Sequence, residues 1–414
     1  MTIPTINAVI NFSTGPGFAN PMILDVGILG TNALADSTSL SVDVSDVVDR
    51  IEITRGRNVT ADQFQTGTLT MRIADQNGDF NPQNSSGPYY NLLSPLRKVS
   101  VTATYSGVTY PIFAGYITGY NTAIPNNGTD VLAYTTITAV DAFRLANLAT
   151  VTTVTGAAAG DLSGTRVNQI LNTINWPSSM RDIDAGKTTV QADPGTSRTA
   201  LAALQAIETT EYGALYVNAA GSFVFQDRAV TAGSVNSTPT LFSDDGSVGI
   251  DYYDATWVLN DVLVYNQANI TATGLAMQTA SNATSIAQYF AHTYTASGLL
   301  MQTTAEALNY ALAYVASRAQ TSIRCDALVL DLYTPNFNLG IIAALSLDYF
   351  SPVTISTNQP GGTNITKTEQ VFGVAHQITP GTWRTTFTTL EPIIDSFILD
   401  SPTFGILGTN VLSY

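Results

Sequence analysis

Cysteine is almost absent. The single Cys325 in 414 residues excludes any disulfide within the chain, and its place in the apolar run CDALVLDL marks it as a buried thiol. Charge is also scarce, at 11% of residues against roughly 25% in ordinary soluble domains. The few charges are mostly acidic, 31 Asp and Glu to 16 Lys and Arg, for a net charge of −15. With no basic stripe, nucleic-acid binding by phosphate neutralisation is disfavoured, and so is binding to an anionic membrane surface. No apolar run reaches 18 residues, so no membrane anchor is expected. MTIPTINAVINF has neither a basic start nor a small-residue cleavage site, so no secretory leader is expected. Only two histidines occur, His292 and His376.

What is present is apolar content of 45%, enough for substantial cores, and a surface of Thr, Ser, Asn and Gly suited to strands, turns and subunit contacts. A chain of this length predicts two to four domains. Residues 1–44, rich in Gly, Pro and Asn, read as an extended arm. Over 45–150, IEITRGR, TGTLTMRIAD, VSVTATY, YPIFAGYITGY and VLAYTTITAVDA alternate apolar and polar residues, the pattern of a small antiparallel barrel or sandwich. Over 151–235 the period changes: Val167, Ile170, Leu171 and Ile174 share a helical face, SRTALAALQAIETTEY predicts a second helix, and ALYVNAAGSFVFQDR a hairpin. Strands return over 236–392, beginning with ATWVLNDVLVYN and interrupted by a helix that opens at Thr303 and Glu306 in a capping box. Residues 393–414 read as a second arm. The expected fold class is mainly β with α+β: two small antiparallel β-barrel or sandwich domains around a mixed domain, with extended terminal arms.

No catalytic motif is recognised: there is no GxSxG, HExxH, P-loop or CxxC. His376 alternates with Val374 and Ile378 along a strand. Asp75-Gln76-Asn77-Gly78-Asp79 begins like a calcium loop, but Phe80 and Ser86 stand where Gly and Glu are required, so an Asx-type turn is expected. Asp244-Asp245 and Asp251/Asp254 are the carboxylate pairs a glycosidase would need, although nothing supplies the cleft. Tyr89-Tyr90 and Tyr252-Tyr253 are candidates for stacking on sugars. No catalytic residue, metal ligand or cofactor is assigned.

One phrase occurs twice. Gly27, Ile28, Leu29, Gly30, Thr31 and Asn32, with Leu34, are repeated as Gly405, Ile406, Leu407, Gly408, Thr409 and Asn410, with Leu412. Ile-Leu-Asp precedes both copies. Ser401–Phe404 replaces Val26 in the second.

Three stretches resemble the baseplate hub or tail-hub family of long-tailed bacteriophages, also called minor tail proteins. The first, 47–103, runs from VVDRIEITRGR through an Asp/Asn-rich loop ending Phe-Asn-Pro to Pro-Leu-Arg-Lys, and IFAGYITGY follows it. The second, NQILNTINWPSSMRDIDAG, continues to the 214–228 hairpin. The third is the closing pair VFGVAHQITPGTWRTTFTTLEP. The resemblance implies a non-enzymatic structural virion protein of the tail, assembled in the host cytoplasm. It implies a homotrimer whose six β-domains cap the tail tube, join a distal tail ring to tip or fibre proteins, and line a channel that DNA crosses without specific binding. Three chains with two arms each would then display six GILGTNxL segments to a six-fold partner by strand addition; the alternative is that each arm packs on its own chain. A receptor- or carbohydrate-binding tail protein and a tail-associated cell-wall hydrolase are the rival functions.

Overall fold

The computed structural model describes residues 3–12, 41–60, 62–125, 133–233, 237–244, 246 and 248–391. The fold is mainly β and is dominated by a single sheet of 13 strands. Its path begins at Asp254–Val258 and ends at Ser41–Asp43. Within 1–44, Thr5–Asn11 belongs to this sheet, pairing antiparallel with Lys98–Tyr105 over seven residues. TINAVIN alternates as a half-buried strand must, with Ala8 and Ile10 turned into the core.

The sheet contains one arrangement twice. In the first unit Val48–Gly56, Gln65–Ala74, Lys98–Tyr105, Val108–Ala123 and Tyr134–Val140 lie in the spatial order first, second, fifth, fourth, third. In the second unit Asp254–Val258, Arg324–Asp331, Pro352–Thr357, Ile365–Thr379 and Thr382–Leu390 lie in the same order. All pairings are antiparallel in both. The fourth strand is the longest of each unit, with 16 and 15 residues, and changes neighbour at its middle. Tyr116 faces both Lys98 and Val140, while Gln370 faces both Pro352 and Leu390. The register slips next to these residues in each unit, between Ile117 and Gly119 and between Val371 and Gly373. A Phe-Asn pair, Phe80-Asn81 or Phe337-Asn338, follows each second strand.

The units join edge to edge. Beyond Val371 the fourth strand of the second unit leaves its own third strand and pairs with the first strand of the first unit, from Gly373 opposite Gly56 to Ile378 opposite Ile51. One continuous hydrophobic core extends from Ala8 to Leu390 across this join.

The intervening helices form as their sequences direct. Ser163–Thr173 buries Val167, Ile170 and Leu171. Ala200–Glu211 is capped by the Thr199 hydroxyl, which accepts from Ala202 N, and ends where Tyr212 turns left-handed. Ala214–Val217 and Phe223–Gln226 make the expected hairpin, whose turn is held by the Asn218 carboxamide oxygen accepting from Ala220 N and Ser222 N. Thr304–Arg318 has the complete capping box at Thr303 and Glu306 and covers a separate three-stranded sheet with its own apolar cluster around Ile270, Tyr310 and Tyr314. Two expectations need correction. The strand expected over 255–266 stops at Val258 and gives way to turns, its Asn260-Asp261 being turn formers. The second β-region carries three helices, Ala283–Tyr289, Thr304–Arg318 and Asn338–Ser346, where one was expected.

Candidate functional site

The two GILGTNxL segments, Gly27–Leu34 and Gly405–Leu412, lie outside the described residues. The chemistry-bearing residues singled out in the sequence do not converge. His376 is buried on its strand, with Nδ1 3.0 Å from the Thr385 hydroxyl, and burial pulls its pKa down to about 3. His292 sits in another region, its Nε2 3.0 Å from the Tyr289 carbonyl. Asp75 accepts from Phe80 N and from the Thr135 hydroxyl, which closes the 75–80 turn. Asp244 accepts from the Thr357 hydroxyl and Asn358 N, a loop clamp. Among the described residues no group of His, Cys, Asp or Glu is placed to hold a metal ion. Of the tyrosine pairs, Tyr89 packs on Phe12 and Phe80 and Tyr252 donates to the Ser356 carbonyl. Tyr253 is exposed, with the Arg384 guanidinium 4.3 Å from its ring centre.

The repeat instead draws attention to two strand edges. In the second unit, the distal half of the fourth strand is covered by the first unit's opening strand. In the first unit the equivalent segment, Gly119–Ala123, pairs only with Tyr134–Thr138 among the described residues. Among the described residues the opening strand of the second unit, Asp254–Val258, pairs only with Arg324–Val329 and forms the outer margin of the sheet. One residue past the end of each edge strand an apolar side chain is exposed: Ile124 at 60% and Leu259 at 62%. Both edges also carry polar atoms shielded from water yet without partners among the described residues, the Tyr120 hydroxyl and Trp257 Nε1. An exposed strand edge is a template for pairing with another chain.

These edges were not legible in the sequence, because what identifies them is the strand order. One faint signal was present: the Phe-Asn pair after each second strand.

Where the two units and the Ala200–Glu211 helix meet, the charges are organised around Asp62. Arg318 donates to Asp62 at 2.7 Å and to the Tyr314 hydroxyl at 2.8 Å, and that hydroxyl donates to Asp62 at 3.0 Å. Tyr314 stacks on Tyr294 with ring centres 3.9 Å apart. A cavity of about 580 Å³ lies beside this cluster.

The chain has the fold of phage-type tail proteins. It superposes on the tail protein from Neisseria meningitidis MC58 with a TM-score of 0.58, over 95% of this chain and 98% of that one, at 9% sequence identity. For the 43 kDa tail protein of prophage MuSo2 from Shewanella oneidensis the TM-score is 0.54, over 86% of this chain and 97% of that one, at 11% identity. No protein-family model matches the chain, and no curated protein sequence matches it.

Proposed function

We propose that this chain is a structural component of a virion tail, a homotrimeric hub whose six β-units form one ring around a channel for DNA. The observation that carries the reading is the repeat with one join made and its counterpart open. The pairing of Gly373–Ile378 with Ile51–Gly56 links two units within the chain. The same pairing between Gly119–Ile124 of one copy and the strand 254–258 of the next would link units between chains. Such a head-to-tail contact closes into a ring when its rotation permits, and three copies of a two-unit chain supply six units. The edge pairs transfer by register: Thr70 joins Glu52 to Thr138, as Ala327 joins Thr256 to Thr388. The interchain register therefore sets Tyr120 opposite Leu259 and Thr122 opposite Trp257.

The ring would mate with a six-fold tail-tube or distal-tail ring on one side and with tip or fibre proteins on the other. Six GILGTNxL arms, two from each chain, would engage that partner by strand addition. A net charge of −15 suits a passage that DNA crosses without adhering. The role is architectural rather than enzymatic.

Light scattering of the full chain over a range of concentrations tests the reading. A concentration-independent mass three times the 43.8 kDa of one chain is the expected result. A mass that stays at 43.8 kDa in solution and on mixing with the isolated tail-tube protein overturns it.

A further inference from the structure

The chain has three lysines, Lys98, Lys187 and Lys367. Lys187 lies 3.8 Å from Asp227 and Lys367 3.1 Å from Glu391. Lys98 has no ion pair or side-chain hydrogen bond among the described residues, and it lines a separate cavity of about 320 Å³. The floor of that cavity is the outer face of the first unit. Asn11, Lys98 and Tyr116 stand opposite one another across three strands, and Val9, Ser100 and Ala114 form the next row. Residues opposite or two apart share a face, so both rows point away from Ile10, Val99 and Phe113, which fill the core. The roof comes from the mixed region, from Met180 and the Ala220-Gly221 turn of the hairpin. Gly221 has a φ of +88°, and a Cβ there would stand 3.1 Å from the Ala114 Cβ. The turn therefore rests on the sheet at Ala114 and closes one side. Junctions between parts of a chain are common places for ligands, and this volume is at the small end of the usual range.

Lys98 is the one charge in the lining, which contains no Asp or Glu, in a chain with 31 acids to 16 bases. Asp43 stands opposite Val9 on the neighbouring strand. It accepts from Ser45 N and Oγ and from Asn7 Nδ2, and it does not line the cavity. Two further donors stand beside the ammonium. Tyr116 is 3% exposed; its hydroxyl makes no hydrogen bond among the described residues, and unlike that of Tyr120 it is not sealed from water. Burial pushes its pKa up to about 12, so it keeps its proton. The Ser100 hydroxyl, also without a bond among the described residues, follows Lys98 by two positions on the same strand. Burial pulls the Lys98 pKa below the ordinary lysine value, a cost that a bound anion offsets.

We propose that this cavity binds a small hydroxylated monocarboxylate, of the class of acidic monosaccharides. The carboxylate accepts from Lys98 Nζ, the Tyr116 and Ser100 hydroxyls bond the carboxylate or the ring hydroxyls, and the C–H face of the ring packs on Val9 and Met180. One ammonium matches one negative charge. A phosphate dianion would bring a second charge with no cation in the lining to meet it. The ammonium is a point charge without the planar fork of an arginine, so selectivity among acids falls to the hydroxyl contacts and to the size of the enclosure.

Saturation-transfer NMR of the full chain with D-glucuronate, at pH 7, tests the site. Saturable binding with a Kd on the order of 1 mM is expected for a ligand of this size. Glucose, which lacks the carboxylate, should bind at least about tenfold more weakly, the value of one charge-assisted bond, and glucose 6-phosphate no more tightly than glucuronate. Lys98→Met should weaken glucuronate by a similar factor. Ser100→Leu, which fills the cavity and removes no hydrogen bond among the described residues, should abolish binding. Acetylation mapped by mass spectrometry gives a second reading: glucuronate should protect Lys98 and leave Lys187 and Lys367 unchanged. No saturable binding, equal binding of glucose, tighter binding of glucose 6-phosphate, binding that survives either substitution, or equal protection of all three lysines overturns the proposal. The lining belongs to a single copy of the chain, so the result does not depend on the trimer.

Discussion

Leu96 and Phe350 occupy the same place in two copies of one five-strand unit. Both have left-handed backbones, with φ of 65° and 63°. Their N–H groups donate to the carbonyls of Ile117 and Val371, at 2.6 and 2.8 Å, and those residues donate back to Arg97 and Ser351 at 2.8 and 3.0 Å. Bulky residues avoid positive φ, so its recurrence at matching hydrogen bonds marks a corner that the architecture needs. At that corner the long fourth strand exchanges its third-strand partner for another edge. In the second unit the new edge comes from the same chain; in the first unit no strand among the described residues supplies it.

The join within the chain depends on Gly56. Its φ is +107°, and a Cβ there would run into the Phe372 carbonyl and the Gly373 Cα. Gly56→Ala combines unfavourable backbone conformation with a backbone clash, and a loss of more than about 2 kcal/mol is expected. Gly107→Ala is the control: φ is +80°, but a Cβ there meets nothing within 4 Å, so only the cost of left-handed backbone, about 1 kcal/mol, applies. Denaturant unfolding of both variants checks the difference.

The Thr303 cap gives a smaller, local effect. Its hydroxyl accepts from Glu306 N at 3.2 Å, and Glu306 returns to Thr303 N at 2.9 Å. Thr303→Ala should cost ~1 kcal/mol, read in the same unfolding assay. This box was legible in the sequence because capping is local: three residues of separation carry the whole signal. The helix Asn338–Ser346 was not. NLGIIAALS is apolar on nearly all sides, so it shows no helical period by which to mark it. The join between units was invisible for a different reason. Gly56 and Gly373 are far apart in the chain, and no pattern within either strand names the other as its partner.

Glu369 predicts a pH dependence. It is fully buried; Oε1 accepts from Cys325 N at 2.8 Å, and burial pushes its pKa from 4.5 up to about 7. The unfolded chain releases this proton from about pH 4.5, while the folded chain keeps it until about pH 7. The stabilisation is therefore complete below pH 4.5 and is lost as the pH rises through 7. Glu369→Gln, which retains the acceptor for Cys325 and cannot ionise, removes that loss. The variant should gain on the parent progressively between pH 4.5 and 8, by an amount on the order of a few kcal/mol. Denaturation midpoints of the two proteins across this range supply the check, and parallel curves would show that Glu369 ionises in the fold without penalty.

The interchain register can be tested by exchanging charge across it. Residues directly opposite on paired strands repel when their charges are alike and attract when they are opposite. Tyr120 is expected to face Leu259 of the next copy, and within one chain Tyr120 and the strand that Leu259 follows, Asp254–Val258, lie at separate positions in the sheet path. Tyr120→Lys with Leu259→Lys places like charges at each of the three contacts, and the trimer should dissociate. Tyr120→Lys with Leu259→Glu should restore it, with greater sensitivity to salt than the parent because exposed ion pairs are screened. Light scattering distinguishes the two. Both double variants carry the same Tyr120→Lys change, so any damage that it does to folding is common to them. Only pairing between Gly119–Ala123 of one chain and the 254–260 edge of another makes the sign at position 259 decide the assembly. If both variants remain trimers, or both become monomers, the trimer uses a different edge, and the repeat in the sheet then has no part in closing the ring.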